Sequence, residues 1–280
     1  TRREMIILTD TSVHSMQFIG PPFTFGINQL ASSITVRGFN SAVAVGDAVF
    51  WMGYDRFYIY DGRVQVIPCS VRDHVFKDFN ETQSDKIYAG VNSAFGEVFW
   101  FYPSQTNAIA NGGNGENDKY VVYNYDQKIW YVGSLARSSW LDRGVYQYPM
   151  ATDSNLVYNH EKGNDNDGTA FTSFIESSPI DVQDGDQFVF LRRMIPDISF
   201  DNSDSNISND NKQAVLSLKA QRSPNGGFVK TSTNTVTSTT ELNHLRLRGR
   251  SFGLRVESTT QGVNWRLGTQ RVDLRADGDR

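Results

Sequence analysis

Period-two alternation dominates this chain. Short stretches of Val, Ile, Phe, Tyr and Trp alternate with polar residues, and clusters of Gly, Asn and Asp punctuate them. The pattern predicts an all-β protein. Helical signals are confined to residues 70–80 and, as a second candidate, 26–33.

The first 160 residues carry a loose internal repeat. Residues 42–67 read AVAVGDAVFWMGYDRFYIYDGRVQVI; residues 87–102 read IYAGVNSAFGEVFWFY, and 119–135 continue KYVVYNYDQKIWYVGSL. Each copy runs from a small apolar strand through a Gly turn to Val-Phe-Trp and a Tyr-rich strand. Phe50-Trp51 and Phe99-Trp100 are 49 residues apart, and partial copies lie at 5–25 and 150–160. One small twisted sheet cannot bury both of its faces, so a repeat of this length holding about four strands is the signature of propeller blades. Residues 1–160 are expected to form a partial or complete β-propeller with kelch-like blades of roughly 45–50 residues. Three to four units fit, and propellers close with about four to eight blades. Either further blades lie upstream in a longer protein or these units form an open stack; the Thr1-Arg2-Arg3 start, read as that of a fragment or processed product, favours the first.

The texture changes near residue 160. Residues 159–168, NHEKGNDNDG, read as a polar linker, and 161–280 as a β-sandwich-like unit of short antiparallel strands. QFVFLRRMIPDISF at 187–200 is the clearest strand, and residues 244–257 read as another. Residues 201–212, DNSDSNISNDNK, hold seven Asp or Asn and form a solvated loop.

Charge and chemistry narrow the function. A formal net charge of −4 over 280 residues argues against a general nucleic-acid coat. No apolar run reaches the roughly 18 residues of a membrane span, so no membrane insertion is expected. The single Cys69 excludes an intramolecular disulfide or a multi-cysteine metal cluster, and reads as a structural thiol. His14, His74, His160 and His244 lack ligand spacing. Asp165-x-Asp167-Gly168 matches part of a calcium loop, but Phe174 stands where a bidentate Glu is required. Gly112-Gly113-Asn114-Gly115 has no Lys or helix after it and reads as a mobile hairpin loop. Nucleophile motifs are missing. No catalytic residue, cofactor or metal is expected.

Carboxylates at Asp47, Asp55, Asp61, Asp73, Glu97 and Asp126 could supply a glycosidase pair. Most sit at turns, where Asp bonds its own backbone. Residues 258–265, STTQGVNW, half-match an Asp-box hairpin, with Thr260 in the Asp position.

The C-terminal stretch 244–280 holds eight arginines against four acids. Leu245, Leu247, Phe252, Leu254 and Val256 are expected on one face, and Arg246, Arg248, Arg250 and Arg255 on the other. Three readings fit: a solvated face paired with Asp273, Asp277 and Glu257, a subunit interface that also includes Arg266, or contact with nucleic-acid phosphates.

Several stretches together resemble the tail hub or nozzle proteins of short-tailed bacteriophages, the group that includes packaged-DNA stabilisation proteins. They are SMQFIGPPFTFGI (15–27), the AVAVGDAVFWMG…YIYDGRVQVI unit, FLRRMIPDISF (190–200) and LRLRGRSFGLRVES…GVNWRLGTQRVDLRADGDR. The resemblance implies a β-propeller with added β-rich domains. It implies a non-enzymatic virion protein whose homo-oligomeric ring, of six subunits, extends and closes the DNA exit channel. Its partners would be the portal or adaptor, a fibre or spike, and DNA in transit. Two rival classes remain: a propeller glycoside hydrolase, or a carbohydrate-binding module acting on host surface polysaccharide. In the latter, Trp51, Trp100, Trp130 or Trp140 would serve as sugar platforms. The same tryptophans read more simply as interblade core.

Overall fold

The computed structural model describes residues 1, 3–182, 184–223 and 225–278. The chain is all-β and divides into two compact units, Thr1–Lys162 and Gly163–Arg280.

Unit 1 is a series of antiparallel meanders. β1 (Met5–Leu8), β2 (Ser12–Gly20) and β3 (Thr24–Ser32) form sheet I. Sheet II holds β4 (Ala42–Val45), β5 (Ala48–Met52), β6 (Phe57–Tyr60) and β7 (Val64–Ile67). The helix α1 (Arg72–Asp78) follows. Sheet III holds β8 (Tyr88–Asn92), β9 (Glu97–Tyr102), β10 (Lys119–Asn124) and β11 (Ile129–Ser134). Sheet IV holds β12 (Ser139–Leu141), β13 (Met150–Asp153) and β14 (Leu156–Asn159). Strand β8 lies against both β4 and β12, so the first strands of sheets II, III and IV stand side by side, as in propeller blades.

Aromatic side chains fill the gaps between these sheets. Trp51 and Trp100 are fully buried, with Phe57 between Trp100 and Trp130. Each tryptophan also donates its indole N–H to a carbonyl outside its own sheet. Trp51 reaches Thr35 at 3.2 Å, Trp100 reaches Ser41 at 2.9 Å, Trp130 reaches Pro68 at 2.8 Å and Trp140 reaches Val91 at 2.7 Å. One residue type thus supplies both the apolar wedge and the polar pin. Trp140 packs so closely on sheet III that a Cβ on Gly90 would lie 2.6 Å from its ring.

Two expectations fail here. Residues 26–33 are not helical: 26–32 belong to β3, whose partners run from Ser12↔Ser32 to Gly20↔Thr24 on β2. The cross-strand ladder overrides a weak local helical signal. The Gly112–Gly115 loop is not free either. Asn107 binds Asn114 Oδ1 at 2.7 Å and the Glu116 carbonyl at 2.9 Å, and Gly113 packs against the Asn107 backbone.

Unit 2 is a β-sandwich. One sheet has the order β15 (Ser173–Glu176), β22 (Ser251–Ser258), β19 (Gln213–Gln221) and β20 (Phe228–Thr237), with β16 (Ile180–Asp181) also on β22. The other has β17 (Val189–Ile195) between β21 (Asn243–Gly249) and β24 (Arg271–Ala276). A short pair joins β18 (Ile198–Ser199) to β23 (Arg266–Leu267). Leu216, Leu218 and Val256 of the first sheet pack with Leu191, Met194, Leu245 and Leu247 of the second.

Residues 244–257 are two strands, not one. The break at Gly249-Arg250 sends β21 and β22 into different sheets. The physical reason is a slip in phase. Buried Leu245 and Leu247 are odd-numbered, and buried Phe252 and Val256 are even-numbered. In one continuous strand they would face opposite sides; crossing between layers lets both sets face the core.

Candidate functional site

The sandwich splits the predicted arginine face into three environments. Arg246 and Arg248 leave β21 on the side away from the core. With Arg222, Lys230, Phe190, Val229 and Asp277 they line a cavity of about 610 Å³. Arg248 is ion-paired to Asp277 and lies over the Phe188 ring at 4.1 Å, where Arg250 also lies at 4.7 Å. Among the described residues, Arg222, Lys230 and Arg246 have no carboxylate partner. Their charge is exposed and uncompensated.

Arg255 sits elsewhere. On β22 it is held between Glu176 at 2.7 Å and Glu257 at 2.5 Å, over the Phe174 ring at 4.1 Å. Lys219 bonds Glu176 as well, and the hydrogen bonds from Lys219 and Arg255 hold that carboxyl below its usual range. Arg255 is therefore committed within its own sheet. Arg266 lies on β23, opposite Ser199, and is exposed. The five predicted arginines do not form one surface: Arg246 and Arg248 share the cavity, Arg250 caps Phe188, and Arg255 and Arg266 stand apart.

Sequence reasoning missed Arg222 and Lys230. Arg222 follows β19, and Lys230 lies on β20 opposite Ala220. Neither belongs to an alternating run of cations like that at 246–250. The strand pairing that brings them beside β21 has no local signature.

A second cluster lies at one end of sheet III. Glu97 begins β9 and accepts a hydrogen bond from the Tyr131 hydroxyl. Burial pushes the Glu97 carboxyl up, the Tyr131 bond opposes this, and the charge of Glu161 adds to the rise. Burial also pushes Glu161 up, partly offset by a 3.2 Å bond from Asn92 Nδ2. Tyr131 is pushed well above the usual tyrosine range by burial and by Glu97. Sequence singled out Glu97; Glu161 was hidden in the polar linker. Of the other predicted carboxylates, Asp55 pairs with Arg56 and Arg72, and Asp73 with Lys77. These are surface pairs far from a catalytic constellation.

The remaining motifs have structural roles. Asp165 Oδ1 accepts the Gly168 N–H at 3.2 Å, a local side-chain-to-backbone bond that fastens the turn. Ser258 donates to the Gln213 carbonyl and Trp265 to Ser173 Oγ, tying the half-matched Asp-box segment to the sandwich. Burial pushes the Cys69 thiol up to about 11, which makes it a poor nucleophile. Among the described residues no cluster of His, Cys, Asp and Glu could hold a metal ion.

No protein-family model matches this chain, and no curated protein matches it. Among solved structures, a glycoside hydrolase is similar over 94% of this chain and 69% of its own, at 8% identity and a TM-score of 0.22. A likeness at that level carries no argument about fold or activity.

Proposed function

We propose that this chain is a non-enzymatic structural protein of a phage tail, a nozzle or hub whose copies close into a homo-oligomeric ring around the DNA exit channel. The observation that carries the reading is a mismatch of charge within unit 2. The cavity presents Arg222, Lys230 and Arg246 without carboxylate partners. The loop at 201–212 presents Asp201 and Asp210, exposed and without cation partners among the described residues. Complementary patches on two parts of one chain suit a head-to-tail contact, which closes into a ring by rotation. Arginine's planar fork suits such contacts. A net charge of −4 also suits a channel through which DNA slides rather than sticks. Portal or adaptor and fibre or spike proteins would then be its neighbours in the virion.

Native mass and class-averaged negative-stain images test this. A closed ring is expected for the wild type. Arg246→Glu with Lys230→Glu should dissociate it, and adding Asp201→Lys with Asp210→Lys should restore it. A monomeric wild type, or a ring indifferent to the reversed charges, overturns the reading.

One observation favours a second reading, a propeller glycoside hydrolase. Glu97 and Glu161 are neighbouring carboxyls that both titrate high, the property a general acid needs. Hydrolysis of a surface polysaccharide that is abolished by Glu97→Gln would establish it. The sugar-platform role finds no support at Trp51 and Trp100, which are fully buried.

A further inference from the structure

The hairpin of β2 and β3 is long, and its outer half leaves the body of sheet I. β1 pairs with β2 only from Leu8↔Val13 to Met5↔Met16. Beyond Met16, β2 has β3 alone as its strand partner, with Gln17 bonded to Glu4 at 2.8 Å and Phe25 at the edge of a cavity lined by Met5 and Val43. The inner half is anchored in the core, with Val13 fully buried and Leu30 packed beside it. The outer half is bare and apolar: Phe18 is 71% exposed, Ile19 57%, Phe23 78%, Phe25 55% and Ile27 62%. Phe18 and Phe25 stand opposite each other with rings edge to face at 5.9 Å, while Ile19 lies on the other side of the ribbon. Such a patch on a water-facing arm marks an interaction site.

We infer that this hairpin tip inserts into the interfacial layer of a lipid bilayer. Two features choose lipid over a protein partner. Residues 11–36 contain no Asp, Glu, Lys or Arg, so nothing charged is carried into the bilayer. The turn itself is Pro21-Pro22, which has no backbone N–H. In hydrocarbon an unpaired N–H is costly, and these two positions present none. The rungs from Gln17↔Gly26 to Gly20↔Thr24 pair the two strands below the turn. The depth available is that of an interfacial anchor, roughly 5–10 Å, not of a span. Sequence expectation counted only spans, and a ribbon this short escapes that count.

The test is flotation of the full chain with phosphatidylcholine vesicles, with and without phosphatidylglycerol, at low and high salt. The chain should float with both, without dependence on salt. Phe18→Ser with Phe23→Ser should lower partitioning at least about tenfold. Its thermal midpoint should stay unchanged, because neither side chain is buried. Phe23→Trp should retain binding and be quenched by brominated lipid in a soluble, folded sample, which keeps the test open if the serine variant misfolds. A wild type that does not float overturns the inference, as does a serine variant that floats equally well. Binding that needs phosphatidylglycerol and vanishes in salt also overturns it, and would move attention to the cationic cavity. A change in lipid-free native mass in the serine variant overturns it too, with a second copy as the occupant. The inference stands apart from the ring: a monomer that floats sinks the ring alone, and a ring that does not float sinks the anchor alone.

Discussion

The two units reach stability by different packing. In unit 1 the largest fully buried side chains are aromatic: Trp51, Trp100, Tyr102, Phe57, Phe79 and Phe101. In unit 2 they are aliphatic: Leu191, Met194, Leu216 and Leu245. Geometry explains the contrast. Sheets stacked around an axis splay apart toward their outer strands, and a wide wedge needs large flat side chains. Two sheets packed face to face are about 10 Å apart everywhere, and Leu, Met and Val fill that gap. The polar accounting differs as well. Unit 1 spends its indole N–H groups on carbonyls outside their own sheets; unit 2 puts charges on the outer faces of strands and pairs them across rungs, as in Glu176, Arg255 and Lys219.

The sharpest break in this comparison is Trp100→Ala. It removes a buried wedge and its bond to Ser41, and should cost about 3–5 kcal/mol. Leu216→Ala should cost about 2–5 kcal/mol. Trp265 is the single tryptophan of unit 2, so denaturant unfolding followed by fluorescence and by circular dichroism should assign each loss to its own unit. Equal effects of Trp100→Ala on the Trp265 environment would erase the distinction. Gly90→Ala comes next. Its Cβ meets Trp140 at 2.6 Å, and overpacking there should cost about 1–3 kcal/mol, read as a lower denaturant midpoint.

Titration gives a subtler test. Burial, with the Arg137 charge beside it, lowers His160 to about 4 from 6.5, and its Nε2 accepts from Arg137 Nε at 2.8 Å. The unfolded chain therefore binds the proton first, and unit 1 loses stability as pH falls from 6.5 toward about 4. Glu97 and Glu161 act with the opposite sign. Their folded carboxyls hold protons more tightly than the unfolded value of 4.5, so their contribution weakens as pH rises above it. His160→Gln should remove the His160 slope, so the melting temperature should fall less between pH 6.5 and about 4 than in the wild type. An unchanged profile would remove His160 from the account. The smallest effect belongs to the hairpin: Phe23→Ser should shift stability by no more than about 0.5 kcal/mol, against several for a buried aromatic.

Much of the fold is legible in local pattern. Val-Phe-Trp recurring at 49 residues marks sheets II and III, and the alternation in 187–200 marks β17. What escaped depends on partners. The split of 244–257 is visible in hindsight as the odd-to-even slip between Leu247 and Phe252, but only two facing layers give the slip a meaning. Residues 26–32 became a strand because β2 was beside them. The arginine alternation was right in direction and wrong in unity. Arg246 and Arg255 do point away from the core, yet onto different sheets.

Sequence alone determined the all-β class, the recurring Val-Phe-Trp unit and the alternation within single strands, because side-chain period is a local property of an extended backbone. Tertiary structure alone decided which cations share a cavity, which carboxyls feel one another's charge, and which apolar residues remain bare. Strand order and register bring residues together across dozens of positions, and no local pattern encodes that distance. Arg222, Lys230 and Arg246 line one cavity, and the charge of Glu161 acts on Glu97, because strand pairing brings distant residues together. Phe18 and Phe23 stay in solvent for the opposite reason: β2 outruns β1, and nothing in the described chain covers what extends beyond it.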